Sequence, residues 1–132
     1  MKDTYKVVVA LIQNENGEFL LIKPSHYKDF GNYQEAWYPP TGHLKKGESQ
    51  KQGLIRELKE ELNLNIKPIN LLTEWEQDTP GEKAYWWKCK IISGNIKKNY
   101  EILDYKYFSN EEIKNIKIWP ATKKFFEKFI WE

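Results

Sequence analysis

Three glutamates, Glu57, Glu60 and Glu61, stand three and four residues apart in a stretch where Leu54, Ile55, Leu58 and Leu62 recur at helical period. At about 100° per residue the carboxylates cover one arc and the apolar set another, which predicts an amphipathic helix with an acidic face. Glu57 meets like charges at i+3 and i+4, and each such pair costs roughly 0.2–0.5 kcal/mol on an exposed helix. A bound cation reverses that cost. An oxygen-only cluster suits Mg2+ or Mn2+, because hard ions prefer carboxylate, carbonyl and water to imidazole or thiolate. Gly53 falls on the same arc one turn earlier, where glycine costs about 1 kcal/mol relative to alanine and is expected to leave open space beside the carboxylates. Taken alone, such a face is equally well explained as a solvated surface.

The residues around the helix define how it must be held. Ser49 and Gln52 form a capping-box pattern, so the helix runs from Gln50 to Leu62, and Asn63 is one of the few non-glycine residues that tolerate a left-handed cap. Upstream, Thr41 to Ser49 carries Gly42, Gly47 and Glu48 directly into the helix start. Tyr5 to Gln13 and Glu18 to Lys23 read as strands of a hairpin turning at Asn16-Gly17. Pro24 to Glu35 reads as a long loop, and Ala36 to Tyr38 as a short strand stopped by Pro39-Pro40. Beyond the helix, Ile66 to Glu76, Lys83 to Ile92 and Ile102 to Phe108 read as strands, the middle one turning Tyr85, Trp87, Cys89 and Ile91 to one side. Pro120 opens a closing helix that carries Phe125, Phe126, Phe129 and Ile130.

Composition narrows the class. A chain of 132 residues, 40% hydrophobic and 30% charged, is sized for one domain with its own core. A formal charge of +2 is far from the balance of a dedicated nucleic-acid binder, so no duplex-DNA partner is expected. The single cysteine, Cys89, can form neither an internal disulfide nor a cysteine-based zinc cage, which points to a reducing, cytoplasmic setting. No apolar stretch reaches the roughly 18 residues of a membrane span, and the first residues lack an apolar signal core. Nothing in the sequence sets an oligomeric state. Of 21 basic residues only Arg56 is arginine, which suggests a position where a planar fork of donors is required.

The loop and helix together carry a specific pattern. Gly42-His43-Leu44-Lys45-Lys46-Gly47-Glu48, seven further residues, then Arg56-Glu57-Leu58-Lys59-Glu60-Glu61-Leu62-Asn63-Leu64 resembles the Nudix box, GX5EX7REUXEEXGU with U a bulky aliphatic residue. The single departure is Asn63 in place of the final glycine, and the left-handed tolerance of asparagine accounts for it. The resemblance implies an α/β fold, an α/β/α sandwich with a central mixed β-sheet, over residues 1–132 as one domain. It implies a hydrolase that cleaves the diphosphate linkage of a nucleoside diphosphate derivative with Mg2+ or Mn2+. Glu57, Glu60 and Glu61 then hold the metal, Gly42 offers its carbonyl, and Arg56 supports catalysis by holding Glu48 or Glu57. The family uses no single fixed general base.

Further residues are candidates for supporting roles. Glu101 and Asp104 are placed to add a carboxylate from beyond the box, whereas Glu111 and Glu112 read as the start of a surface helix. Among the aromatics Tyr33, Trp37, Tyr38, Trp75, Trp86 and Trp87, we single out Trp37 and Trp86 for base stacking, Trp86 because it has the opposite parity to Trp87. His26 and His43 fall in expected loops, and Thr79-Pro80-Gly81 reads as an ordinary turn. A nucleoside triphosphate is the favoured substrate. ADP-ribose, a dinucleoside polyphosphate or an RNA 5′ end stands as the alternative, with Lys45-Lys46, Lys97-Lys98 and Lys123-Lys124 as RNA contacts in the last case. A nucleotide sensor without catalysis is the reading from another class.

Overall fold

The computed structural model describes residues 2–24, 36–77, 80–100 and 102–131, including the side chains of all but residues 2–5 and 24. The strands are β1 (Lys2–Ile12), β2 (Phe19–Pro24), β3 (Thr41–Lys45), β4 (Asn65–Glu76), β5 (Lys83–Ser93) and β6 (Ile102–Phe108). The helices are α1 (Gln50–Leu62), α2 (Asn110–Lys114) and α3 (Pro120–Phe129). A four-stranded sheet has the order β3-β1-β5-β4, with β1 parallel to β5 and the other neighbours antiparallel. A two-stranded antiparallel sheet pairs β2 with β6. This is a mixed α/β architecture in which helices flank the sheets.

The run Val7-Val8-Val9-Ala10-Leu11-Ile12 lacks the polar alternation of a half-exposed strand because β1 is covered on both faces. Val8, Ala10 and Ile12 join one core with Leu54, Leu58 and Leu62 of α1. Val7, Val9 and Leu11 join a second core with Phe125 and Phe126 of α3. On β5, Tyr85 and Cys89 lie in the α1 core with Trp87 and Ile91 packed against it, the side sharing that alternation predicts. Among the described residues no helix is long and apolar enough to cross a membrane.

The expected β1–β2 hairpin does not extend into a sheet. Its turn forms, with the Asn14 amide donating to the Glu18 carbonyl at 2.9 Å, but pairing stops at the single bridge Gln13–Phe19. β2 then leaves to pair with β6, Phe19 opposite Phe108 and Ile22 opposite Tyr105. Residues 36–40 bridge the layers: Ile22 and Tyr38 exchange backbone bonds at 2.8 and 3.0 Å, and the Ala10 amide donates to the Pro40 carbonyl at 2.9 Å. The expected loop after Pro24, together with His26, Tyr33 and Glu101, lies outside the described residues.

Candidate active site

α1 begins and ends where its sequence signals lie. Ser49 Oγ accepts from the Gln52 amide at 3.1 Å while Gln52 Oε1 accepts from the Ser49 amide at 2.9 Å, so two otherwise orphan donors at the N-terminus are satisfied. Asn63 adopts φ 59° and ψ 34° at the other end. Leu54, Leu58 and Leu62 are buried, but Ile55 is 46% exposed and does not belong to the core-facing stripe. The stripe is narrower than periodicity suggests because only the arc against β1, β3 and β4 is covered.

That arc also buries charge. Glu57 is 7% and Glu61 9% exposed, whereas the Glu60 side chain is 54% exposed, so the three carboxylates share a helix face but sit at different depths. Gly42 on β3 lies directly behind Glu57: a Cβ at position 42 would overlap the Glu57 carboxyl group. Gly53 does not leave open space as its sequence position suggests. Its missing side chain is filled by Leu44 and by the Glu48 carboxylate, which lets the β3–α1 loop close onto the helix.

Arg56 organises the cluster. Its Nε donates to Glu48 Oε2 at 2.7 Å and its Nη2 to Glu48 Oε1 at 2.9 Å, a two-pronged pair that lysine cannot form. Nη2 also donates to the His43 carbonyl at 3.0 Å, which ties β3 to α1. Nη1 reaches Glu57 Oε1 at 2.9 Å and Glu60 Oε2 at 3.2 Å. The Arg56 guanidinium hydrogen-bonded to Glu48 holds that carboxyl at about 2, against an ordinary 4.5, despite partial burial. The same bonds to Glu48, then to Glu57, push Arg56 above its usual value.

The donor set is oxygen-only, and the Cβ-free cradle at Gly42 brings a backbone strand against the Glu57 carboxyl group, a combination that fits a hard divalent cation. No three His, Cys, Asp or Glu side chains among the described residues converge as a metal cluster. Arg56 draws both Glu57 and Glu60 toward its Nη1, so a cation binding these carboxylates competes with that contact.

Other candidates separate from this face. Trp86 is 1% exposed and stacks on Phe125 at 4.2 Å between centroids, so the expectation that it stacks on a base is corrected: it is core. The parity argument fails because both faces of β5 are packed at this point, with Trp86 buried in the α3 core and Trp87, partly exposed, lying against the α1 core. Trp87 instead packs against the α1 core and donates from Nε1 to Gln50 Oε1 at 2.7 Å. Trp37 is half-buried against the α3 core, edge-on to Phe108, with Lys23 Nζ 4.9 Å from its ring. Asp104 is exposed on β6, its Oδ1 accepting from the Tyr105 amide, and it joins no acidic cluster among the described residues. Glu111 and Glu112 occupy the first turn of α2. The three lysine pairs are exposed on separate elements. Burial pushes the Cys89 thiol up to about 12, which leaves it without reactive thiolate.

His43 lies on β3 rather than in a loop, and its Nε2 pairs with Glu82 Oε2, a residue with no signal in the sequence because 39 positions separate the two. Asn99 is likewise absent from the sequence reading; its amide and side chain reach the Glu61 and Glu60 carbonyls.

The family model for the NUDIX domain matches residues 3–129. The MutT protein from Methanosarcina mazei Go1 superposes with a TM-score of 0.76 at 30% identity, covering 95% of this chain and 91% of that one. The human 8-oxo-dGDP phosphatase NUDT18 is 36% identical over 100 residues, covering 76% of this chain and 29% of its own length. The Escherichia coli 8-oxo-dGTP diphosphatase is 27% identical over 82 residues, covering 62% of this chain and 61% of its own length. The chain thus spans less than two thirds of the length of either curated relative.

Proposed function

The chain belongs to the Nudix family, and on that premise we propose that it is a hydrolase of acid anhydrides, cleaving the diphosphate linkage of a nucleoside diphosphate derivative with Mg2+ or Mn2+. The observation that carries this reading is the Arg56 fork, which gathers Glu48, Glu57 and Glu60 beside the Gly42 cradle. A bland acidic surface has no use for buried carboxylates at positions 57 and 61 or for a glycine that admits one of them.

Glu57, Glu60 and Glu61 would hold the cation, with the Gly42 carbonyl as a further oxygen ligand. Bound there, a divalent ion supplies neutralisation of the charge that builds at phosphorus and a fixed place for the attacking water. The chain's own residues do the rest. Glu57 orients the water, and Arg56 is a positioning residue that sets Glu57 from one end and Glu48 from the other. Water's oxygen forms the new bond to phosphorus as the bridging oxygen leaves with its phosphate.

A nucleoside triphosphate is the favoured substrate, supported by the relative named for 8-oxo-dGTP, while the relative named for 8-oxo-dGDP points to a nucleoside diphosphate as the competing class. The buried thiol of Cys89 accords with a reducing, cytoplasmic setting. The test is product release from unmodified and oxidised nucleoside triphosphates, ADP-ribose, dinucleoside polyphosphates and 5′-triphosphorylated RNA, each with Mg2+, Mn2+ or chelator. Metal-dependent cleavage of nucleoside triphosphates supports the reading. Preference for another class moves the substrate, and chelator-resistant cleavage refutes the metal role.

A further inference from the structure

An α-helix leaves its last carbonyls without helical donors, and in α1 those carbonyls belong to the residues that carry the acidic face. The Lys59 carbonyl accepts from the Asn63 amide at 3.1 Å. The next three are taken by the connection between β5 and β6. Glu60 O accepts from Asn99 Nδ2 at 3.3 Å, Glu61 O from the Asn99 amide at 3.0 Å, and Leu62 O from the Lys97 amide at 2.9 Å. Asn63 ties the two segments from the other side, its Nδ2 donating to the Asn95 carbonyl at 3.2 Å, while its Oδ1 accepts from Lys59 Nζ at 3.2 Å within the end of α1. A glycine, the residue the Nudix pattern has here, reaches the same left-handed backbone but makes neither bond. Gly94 permits the close approach: its φ is +102°, and a Cβ there would meet the Asn63 carbonyl oxygen at 2.5 Å.

We infer that Asn63 and Asn99 are positioning residues for the acidic face, fixing the last turn of α1, and with it Glu60 and Glu61, by binding that turn's backbone to the β5–β6 connection. The inference rests on the proposed cation site. Its force comes from the unequal depth of the carboxylates. Glu61 is set by burial, but Glu60 is more than half exposed, so packing does not place it. Its side chain has a 3.2 Å contact to Arg56, and its backbone has the bond from Asn99. Asn63 therefore substitutes for the motif glycine with added function: it keeps the cap and gains a clip.

The test is Mn2+ binding to the full chain without substrate, read by electron paramagnetic resonance, for wild type, Asn63→Gly, Asn99→Ala and Ser109→Ala. Ser109 is the N-cap of α2 and controls for loss of a helix cap away from the acidic face. The inference expects Asn63→Gly and Asn99→Ala to weaken Mn2+ affinity about 10-fold, with Ser109→Ala binding as wild type even if it melts lower. Asn63→Gly carries the test should Asn99→Ala fail to fold. Wild-type affinity in Asn63→Gly, or equal weakening in Ser109→Ala, overturns the inference and leaves the cation site standing. Failure of the wild type to bind Mn2+ overturns the cation site and the inference with it.

Discussion

Replacing Arg56 with lysine preserves the charge and removes the fork, which isolates what the geometry contributes. Arg56 makes five hydrogen bonds, three to carboxylates of Glu48 and Glu57, one to Glu60 and one to the His43 carbonyl. A lysine ammonium is a point charge that cannot span Glu48 and Glu57 together. Glu48 held at about 2 rather than 4.5 corresponds to about 3 kcal/mol of stability at neutral pH. Because this carboxyl is depressed in the folded state, that stability is complete above pH 4.5 and is lost as pH falls toward 2. Arg56→Lys is expected to forfeit about 2–3 kcal/mol at pH 7, since a single remaining ion pair recovers only part of the interaction. The assay is urea denaturation at intervals from pH 7 to pH 2. The variant should be less stable at pH 7 and converge on wild type at the acid end. Stability within about 0.5 kcal/mol of wild type at pH 7, or a parallel offset at every pH, refutes the assignment of that stability to the Glu48–Arg56 pair. Turnover should fall as well, because Glu57 loses its anchor; unchanged turnover removes the positioning role of Arg56.

Gly42→Ala places a Cβ on the Glu57 carboxyl group, so activity should fall about 100-fold or more while circular dichroism still reports a folded chain; near wild-type turnover would show that Glu57 need not stand there. Trp86→Ala should cost about 3–5 kcal/mol in denaturant unfolding and leave KM of the folded enzyme unchanged, since the ring packs on Phe125; a raised KM at full stability would return Trp86 to the binding site.

The sequence discloses best what is local. The bounds of α1 follow from Ser49, Gln52 and Asn63, all within one turn of the ends they specify. The partner of Arg56 was readable as a choice between Glu48 and Glu57; the structure joins both because Nε, Nη1 and Nη2 point to different neighbours. What depends on distant pairing was less legible. β2 abandons the hairpin for β6, a partner roughly 80 to 90 positions downstream that no local pattern signals. Trp86 and Trp87 cannot be sorted by parity when both faces of their strand are covered. Gly53 looked like room for a ligand, yet the β3–α1 loop folds back into that room through Leu44 and Glu48. The Asn99 and Glu82 contacts join positions 39 residues apart, beyond any helical or strand period.

The central claim is that the acidic face of α1 holds a divalent cation that hydrolysis requires. Mg2+-dependent product release from a nucleoside triphosphate, compared between wild type, Glu60→Gln and Glu61→Gln, tests it most directly. Removing one like charge relieves repulsion along the helix, so both variants should remain folded while losing about 100-fold or more in rate. Full activity in both variants would contradict the account.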